Sequence, residues 1–255
     1  MAAELLPLAR QAGSVILRHY RRISEVAWKD DRSPVTAADR EAEAIIREGL
    51  LKLRPSYPVV AEEAVAEGEM PELGGGPFWL VDPLDGTREF LSANGEFTVN
   101  IALVEDRRPV LGLVLAPALA RSWLGIPGLG AFVVEEDGRR RIRVRAPQPG
   151  RLAAVVSRSH QDAATHAWLV RHRIASTVHA GSALKFCVLA EGRADVYPRF
   201  GPTMEWDTAA GQAVLEAAGG TVVTARGEPL RYRKPRFRNP AFIAYGGLSP
   251  FPSSS

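Results

Sequence analysis

The sequence predicts a mixed α+β fold in two unequal halves. Two amphipathic helical stretches near the start are followed by a run of short apolar stretches separated by turn residues, which is typical of an antiparallel meander. Further along, helix and strand patterns alternate, which is typical of α/β structure. We therefore expect a helix pair with a large, mostly antiparallel sheet over residues 1–145, a smaller α/β half over 146–247 and a tail over 248–255.

Both N-terminal helices are predicted from apolar residues at helical spacing. The first covers residues 2–22, where apolar side chains recur every three or four positions. The second covers residues 36–53, with Thr36 as the expected N-cap and Asp39 three residues later completing a box-like start.

The remaining elements are predicted from short apolar runs bounded by Gly, Pro and charged residues. Strands of the first half are expected at 57–61, 78–81, 97–104, 110–115, 120–126 and 131–135, with a short helix at 88–92. The Pro- and Gly-rich stretch 146–150 resembles a linker. In the second half we expect strands at 152–156, 194–197 and 221–224, and helices at 162–171, 182–191 and 206–218.

The composition is that of an ordinary globular protein, with 46% hydrophobic and 24% charged residues among 255. It excludes a disordered, collagen-like, coiled-coil or disulfide-rich chain. The longest strongly apolar stretch, 110–120, is far shorter than the roughly 20 residues of a membrane span. The single cysteine, Cys187, is expected to be a buried apolar residue, and with no signal-peptide pattern at the start it favours a cytoplasmic protein.

Arginine dominates the basic residues, with 28 Arg against 4 Lys and a net charge of +3. This surplus is compatible with a phosphorylated substrate, because arginine binds planar oxyanions well. Arg141, Arg143 and Arg145 alternate in a basic run and are expected to share one face of a strand. A solvated face is favoured over a polyanion-binding patch, since no nucleic-acid-binding motif accompanies the run.

The most informative motif is Asp82-Pro-Leu-Asp-Gly-Thr87, directly after the apolar strand at 78–81. Two carboxylates three residues apart at a strand end can bridge hard cations, and Mg²⁺ prefers oxygen ligands completed by substrate phosphate. The backbone N–H groups of Gly86 and Thr87 would suit a phosphate group. The alternative is that Asp-Pro and Asp-Gly form two ordinary surface turns.

Three further acids have simple structural explanations when each is taken alone. Glu62, beside Glu63, is typical of a solvated loop. Asp39 would interact favourably with the N-terminus of its helix, and Asp207 would cap another helix. Glu62, Asp207 and the two aspartates of the motif nevertheless all lie at strand ends or helix starts, where sites are built in mixed α/β proteins.

Four stretches in this order carry a resemblance to a known family. They are 33–39 (SPVTAAD), 61–63 (AEE), 82–87 (DPLDGT) and 205–211 (EWDTAAG). Together they resemble the inositol monophosphatase-like family, over essentially the whole chain. Within it, stretches such as 88–90 (REF), 157–160 (SRSH) and 181–187 (GSALKFC) are similar to the bacterial 3'(2'),5'-bisphosphate nucleotidase branch.

The resemblance implies a layered αβαβα sugar-phosphatase fold and a phosphatase with two to three Mg²⁺ per site. The implied metal ligands are Glu62, Asp82, the backbone carbonyl of Leu84, Asp85 and Asp207. Asp39 and Thr87, with Glu62 and with Glu63 nearby, are implied to activate the attacking water. The implied substrate contacts are Glu62, Leu84, Asp85, Gly86, Thr87, Ser159, His160, Gly181, Lys185 and Asp207.

The activity expected from the resemblance is removal of the 3'-phosphate of adenosine 3',5'-bisphosphate, and of its 5'-phosphosulfate analogue, with inhibition by Li⁺. An inositol monophosphatase or a sugar-bisphosphatase of the same fold is the alternative. A non-catalytic binding protein belongs to a different class, and the presence of every implied acid and of Thr87 argues against it. The expected partner is a small phosphorylated molecule, and the chain is expected to be a monomer or a homodimer.

Overall fold

The structure stacks helices and sheets in five alternating layers, which confirms the mixed fold and the αβαβα arrangement. It is a computed structural model that describes residues 2–25, 33–159 and 162–250. An outer helix pair covers a seven-stranded sheet, a middle helix pair separates that sheet from a five-stranded one, and a further helix covers the second sheet. Within the described ranges, no helix is long and apolar enough to cross a membrane.

The outer layer consists of α1 (Ala2–Glu25) and α2 (Ser33–Lys52), which pack on each other and on the seven-stranded sheet. The predicted N-cap at Thr36 is wrong, because α2 already begins at Ser33. Pro34 explains the earlier start, since its fixed φ suits the first turn of a helix and its missing N–H costs nothing there. Asp39 consequently lies in the second turn, where its side chain is buried.

The seven-stranded sheet follows chain order from β1 to β7. Its strands are β1 (Val59–Ala61), β2 (Phe78–Asp85), β3 (Thr98–Glu105), β4 (Arg108–Ala116), β5 (Arg121–Ile126), β6 (Gly130–Glu135) and β7 (Gly138–Ile142). Only β1 and β2 are parallel, and the later strands form the expected meander.

Two short helices follow the first two strands. Glu62 and Glu63 do not lie in a loop, as the sequence indicated, but begin α3 (Glu62–Ala66). Strand β2 continues past Val81 through the Asp-Pro pair to Asp85, with an irregular register against β3, and α4 (Thr87–Leu91) follows. The irregularity accommodates the proline, which cannot donate to a sheet hydrogen bond.

The five-stranded sheet has the order β11-β12-β10-β8-β9. Its strands are β8 (Ala153–Ser157), β9 (Ser176–Ala180), β10 (Val196–Arg199), β11 (Thr221–Thr224) and β12 (Phe242–Tyr245). The helices of this half are α5 (Ala163–Arg171), α6 (Leu184–Ala190) and α7 (Glu205–Ala217). Strands β9 and β12 were not predicted; most side chains of β9 are exposed, so it lacks an apolar signal.

Helix α7 packs against β3, β4 and β5 of the first sheet, although it comes from the C-terminal half. Gly112 and Gly125 pair directly across β4 and β5 and make that contact possible. An added Cβ would lie 2.4 Å from the Ala210 carbonyl oxygen at Gly112 and 2.3 Å from the Val214 Cα at Gly125. The two halves therefore share one core, and a boundary at 146–150 stays a prediction.

The basic run does not form the single strand face that its alternation suggested. Strand β7 ends at Ile142, so Arg143 and Arg145 lie beyond it. Arg145 instead donates from Nε to the buried Asp195 at 2.8 Å, and Asp195 also accepts the Ala153 N–H at 2.7 Å. Arg145 therefore helps to fix the start of β8 through Asp195.

Candidate active site

Three of the predicted acids meet where β1 and β2 end side by side. Because the two strands are parallel, their carboxyl ends lie at the same edge of the sheet. Glu62 is the first residue after β1, and Asp82 and Asp85 close β2. Asp82 is fully buried, and its Oδ1 accepts the N–H of Leu84 at 3.0 Å, which holds the irregular end of β2.

Asp207 reaches the same place from the first turn of α7. Its Oδ2 accepts the Met204 N–H at 2.7 Å, as expected for a capping acid. Burial raises its pKa to about 7, and the neighbouring Asp85 carboxylate adds to that rise. The capping contact therefore still leaves Asp207 beside Asp85, where the site prediction places it.

The acids in this cluster stabilise one another's protonated forms. Burial, together with the charges of Asp207 and Asp85, raises the pKa of Glu62 to about 8. Burial also raises the pKa of Asp82 well above its usual range, and that of Asp39 to about 8, with Glu63 adding to the rise for Asp39. A desolvated group of carboxylates with too little positive charge is what a bound cation would stabilise.

The residues fit a divalent metal by the chemistry of their donors. All are oxygen ligands of the kind that Mg²⁺ prefers. Glu62 and Asp82 are close neighbours, and the Glu62 carboxylate adds to the effect of burial in raising the pKa of Asp82. Across the described residues, no three His, Cys, Asp or Glu side chains are already arranged to hold an ion. The carboxyl groups of Glu62 and Asp82, whose pKa values are raised, would therefore release protons when a metal binds.

The start of α3 is held by a residue that the sequence reasoning missed. This helix has no side-chain N-cap of its own. Buried Glu43 of α2 supplies one, accepting the N–H of Glu63 at 2.8 Å and that of Ala64 at 3.0 Å. Glu43 lies nine residues before the end of α2 and 20 residues before Glu63, so the sequence has no local signal for this contact. It fixes Glu62 and Glu63 relative to Asp39.

A cavity of about 340 Å³ opens beside the acidic cluster. The predicted site residues in its wall are Asp85, Gly86, Thr87, Lys185 and Asp207. Gly86 has φ of 93°, a left-handed conformation that glycine adopts without strain, and it turns the chain from β2 into α4. Asp39 and Thr87 make no direct hydrogen bond within the described part of the chain, so their pairing stays a prediction.

Three of the described basic residues line the same cavity: Arg88, Lys185 and Arg199. Lys185 is buried, which lowers its pKa to about 8, and its Nζ donates to the Ser182 carbonyl at 2.6 Å. Arg199, at the end of β10, was not singled out from the sequence because an arginine at a strand end is ordinarily solvated. Lys185 and Arg199 lie close enough to Asp207 that their charges partly offset the rise in its pKa. The cavity thus has an acidic region and a basic region.

Ser159 and Gly181 each donate a hydrogen bond to a carboxylate. The Ser159 hydroxyl donates a short hydrogen bond to Oε1 of Glu89, and the Gly181 N–H donates to Glu96 at 2.8 Å. Neither residue lines the cavity, whereas Glu89 does. The predicted contact of His160 lies outside the described residues. Cys187 is buried as expected, and burial raises its pKa well above the ordinary range.

The comparisons with known proteins all point to one family. The family model described as "Inositol monophosphatase family" matches residues 1–246. A 3'(2'),5'-bisphosphate nucleotidase CysQ of Escherichia coli K12 is 45% identical over 245 residues, covering 95% of this chain and 98% of the relative. The Salmonella typhimurium protein of the same name is 46% identical over the same shares. The crystal structure of CysQ from Bacteroides thetaiotaomicron has a TM-score of 0.84 and 36% identity, covering 97% of both chains.

Proposed function

The chain belongs to the inositol monophosphatase family, and we propose that it is a metal-dependent 3'(2'),5'-bisphosphate nucleotidase. Its reaction is hydrolysis of the 3'-phosphate of adenosine 3',5'-bisphosphate to give AMP and phosphate, and it accepts the 5'-phosphosulfate analogue. One observation carries the proposal besides the similarity: the wall of one cavity holds Asp85 and Asp207 of the acidic cluster together with the basic side chains of Lys185 and Arg199. A substrate with two separate phosphates needs both regions.

The acidic region would hold the metal ions. Glu62, Asp82 and the carbonyl of Leu84 would bind a first Mg²⁺, and Asp82, Asp85 and Asp207 a second, with a third ion among them in the full site. Phosphatases of this family are generally metal-dependent. When bound, the ions neutralise phosphate charge, lower the pKa of a coordinated water and stabilise the leaving oxygen.

The scissile phosphate would lie between the acids and the start of α4. The N–H groups of Gly86 and Thr87 would donate to its oxygens, and the Thr87 hydroxyl with the Asp39 carboxylate would take the proton of the attacking water. Asp39 is buried and Thr87 is exposed to the cavity, so the proton would move from the substrate side toward the protein interior. Burial and the charge of Glu63 at the start of α3 raise the pKa of Asp39, which would favour proton uptake by the Asp39 carboxylate.

The second phosphate would contact the basic region. Lys185 and Arg199 would hold the 5'-phosphate, and their positive charges would offset its negative charge beside the carboxylates Asp85 and Asp207. A monophosphate would place no second phosphate against these two cations, so their charge would add nothing to its binding. This is the structural reason to prefer a bisphosphorylated nucleotide over inositol 1-phosphate.

A phosphate-release assay with a substrate panel tests the proposal. Adenosine 3',5'-bisphosphate, inositol 1-phosphate and fructose 1,6-bisphosphate are compared at matched Mg²⁺, with and without millimolar Li⁺. We expect the highest kcat/KM with the nucleotide, and inhibition by Li⁺. Higher kcat/KM with inositol 1-phosphate would overturn the substrate assignment, and no hydrolysis of any phosphate would overturn the reaction.

We also propose a binding partner and a cellular location for the enzyme. The partner is a small phosphorylated molecule, and the single buried Cys187 is compatible with a reducing cytoplasm. Fractionation of the source cells with a reporter of this activity tests the location. Activity outside the cytoplasm would contradict it.

A further inference from the structure

Glu89 is a buried carboxylate in the cavity wall with no role in metal or phosphate binding. It lies in α4, directly after the Asp-Gly-Thr segment, and only 3% of it is exposed. Ser159 donates to its Oε1. A carboxylate this buried needs more than one hydrogen-bond partner, because ionised oxygens have about four acceptor sites.

The second oxygen of Glu89 faces the place proposed for the scissile phosphate. A Cβ built on Gly86 would lie 3.2 Å from Glu89 Oε2, so this oxygen is next to the backbone that would cradle the phosphate. Within the described residues, no donor bonds to Oε2. This oxygen is also not one of the buried side-chain atoms that lack a hydrogen-bond partner, so it is accessible. It is therefore open to the cavity and can accept a hydrogen bond from a molecule bound there.

The position of Glu89 is held from both sides. A Cβ built on Gly181 would lie 2.6 Å from Glu89 Cγ, which shows how closely that backbone packs on the side chain. Arg88, its neighbour, donates from a terminal nitrogen to the Ser159 carbonyl at 3.2 Å. These contacts tie α4 to the segment after β8 and leave the carboxylate little freedom to turn away.

Charge limits what Glu89 can bind. A carboxylate repels phosphate oxygens, and among the described residues Ser159 is the only side chain bonded to it, so it lacks the further ligands of a metal site. It will accept a hydrogen bond from a neutral donor. Beside the reacting phosphate of a nucleotide, the available donor is the hydroxyl on the adjacent ribose carbon.

We infer that Glu89 is a specificity-determining residue that accepts a hydrogen bond from the hydroxyl adjacent to the scissile phosphate, and that Ser159 positions it. This inference rests on the proposed nucleotidase function. It also explains how one site serves both a 3'- and a 2'-phosphate, because each isomer carries its free hydroxyl on the neighbouring carbon.

The test compares adenosine 3',5'-bisphosphate with its 2'-deoxy analogue, which lacks only that hydroxyl. For the wild-type enzyme we expect kcat/KM to be about 10- to 100-fold higher with the ribonucleotide, the range for a hydrogen bond to a charged group. In Glu89→Gln the preference should fall severalfold, and in Glu89→Ala it should approach one. Ser159→Ala should reduce it partially.

Glu96→Gln is the matched control, since Glu96 is a neighbouring half-buried carboxylate that pairs with Arg158 and does not line the cavity. It should keep the wild-type preference. Equal kcat/KM of the wild-type enzyme on both nucleotides would overturn the inference while leaving the nucleotidase function intact, and it needs no variant to fold. An unchanged preference in a folded Glu89→Ala would overturn it as well. Hydrolysis of neither nucleotide would overturn both the function and the inference.

Discussion

The Ser182 hydroxyl donates a 2.6 Å hydrogen bond to Oδ2 of Asp85, joining residues 97 positions apart in the chain. Asp85 ends β2 of the first sheet, while Ser182 precedes α6 in the C-terminal half. Ser182 has φ of 51°, which an L-residue adopts only where surrounding contacts impose it. Asn100 of β3 also donates to Asp85 Oδ2, at 3.3 Å. The orientation of this carboxylate therefore depends on both halves.

Removing the serine hydroxyl should weaken metal binding without removing a ligand. In Ser182→Ala, Asp85 loses a partner that orients it, and loss of such a partner lowers metal affinity about 10- to 100-fold. The Mg²⁺ concentration for half-maximal activity should rise accordingly, with little change in activity at saturating Mg²⁺. A Mg²⁺ titration of phosphate release checks this. An unchanged half-maximal concentration would argue that the contact does not affect the metal.

Removing the ligand charge should have a larger effect than removing its support. Asp85→Asn eliminates one negative charge that would face the ions, and several kcal/mol of transition-state stabilisation correspond to about a 100- to 1000-fold loss of kcat/KM. Asp106→Asn is the control, because Asp106 is exposed in the turn between β3 and β4. Wild-type turnover by Asp85→Asn would disprove the metal assignment.

The raised carboxyl pKa values predict how the metal-free protein responds to pH. The pKa of Glu62 rises from 4.5 to about 8, and that of Asp39 from 3.8 to about 8. Between these pH values the two groups bind more protons in the folded chain than in the unfolded chain. Stability then falls as the pH rises from about 5 to 8, since the unfolded state binds fewer protons. Bound Mg²⁺ should offset the loss, and increasingly so at higher pH.

Thermal unfolding in EDTA and in Mg²⁺, from pH 5.5 to 8.5, measures both effects. We expect the midpoint in EDTA to fall with pH and the gap between the two curves to widen. Glu62→Gln should flatten the EDTA curve, because one of the titrating groups is gone. A midpoint in EDTA that rises with pH would contradict the assignment of these groups as uncompensated carboxylates.

How much the sequence could predict differs between the two kinds of residue in the site. Asp82 and Asp85 were found because their motif is continuous in the chain and combines carboxylates, a strand end and a turn. Glu89 and Arg199 were not found, because a glutamate in a short helix or an arginine at a strand end is usually solvent-facing. Both line one cavity, whose wall combines residues of α4, α6, β10 and α7, and no local pattern records that arrangement.

The same distinction holds for the fold. Helices α1 and α2 have long periodic apolar faces and were predicted almost to their ends. Strand β9 was missed because it lies at a sheet edge with most of its side chains exposed, and the Thr36 cap was wrong because Pro34 starts the helix earlier. A capping residue therefore predicts the start of a helix only where no neighbouring residue, such as Pro34 here, favours a different start.

The basic region should distinguish two phosphates from one. Lys185→Met keeps most of the side-chain volume and removes the charge, so the proposed 5'-phosphate contact is lost. We expect about a 10- to 100-fold lower kcat/KM with adenosine 3',5'-bisphosphate, mostly through KM, and little change with adenosine 3'-monophosphate. Steady-state kinetics with the two nucleotides checks this. Equal losses with both would indicate that Lys185 serves the acidic region instead.

Helix α7 carries Asp207 to the site, and its approach to the sheet depends on Gly125. A methyl group there would lie 2.3 Å from Val214 Cα, within the backbone of the helix, so a side chain cannot simply move aside. Gly125→Ala should destabilise the protein by about 1–3 kcal/mol, and activity should fall because Asp207 is displaced with the helix. Gly75→Ala is the control: nothing lies within 4 Å of its added Cβ, so stability should change by less than about 0.5 kcal/mol. Urea unfolding with parallel phosphate-release assays measures both variants, and a Gly125→Ala protein with wild-type stability would show that the sheet and the helix can separate without cost.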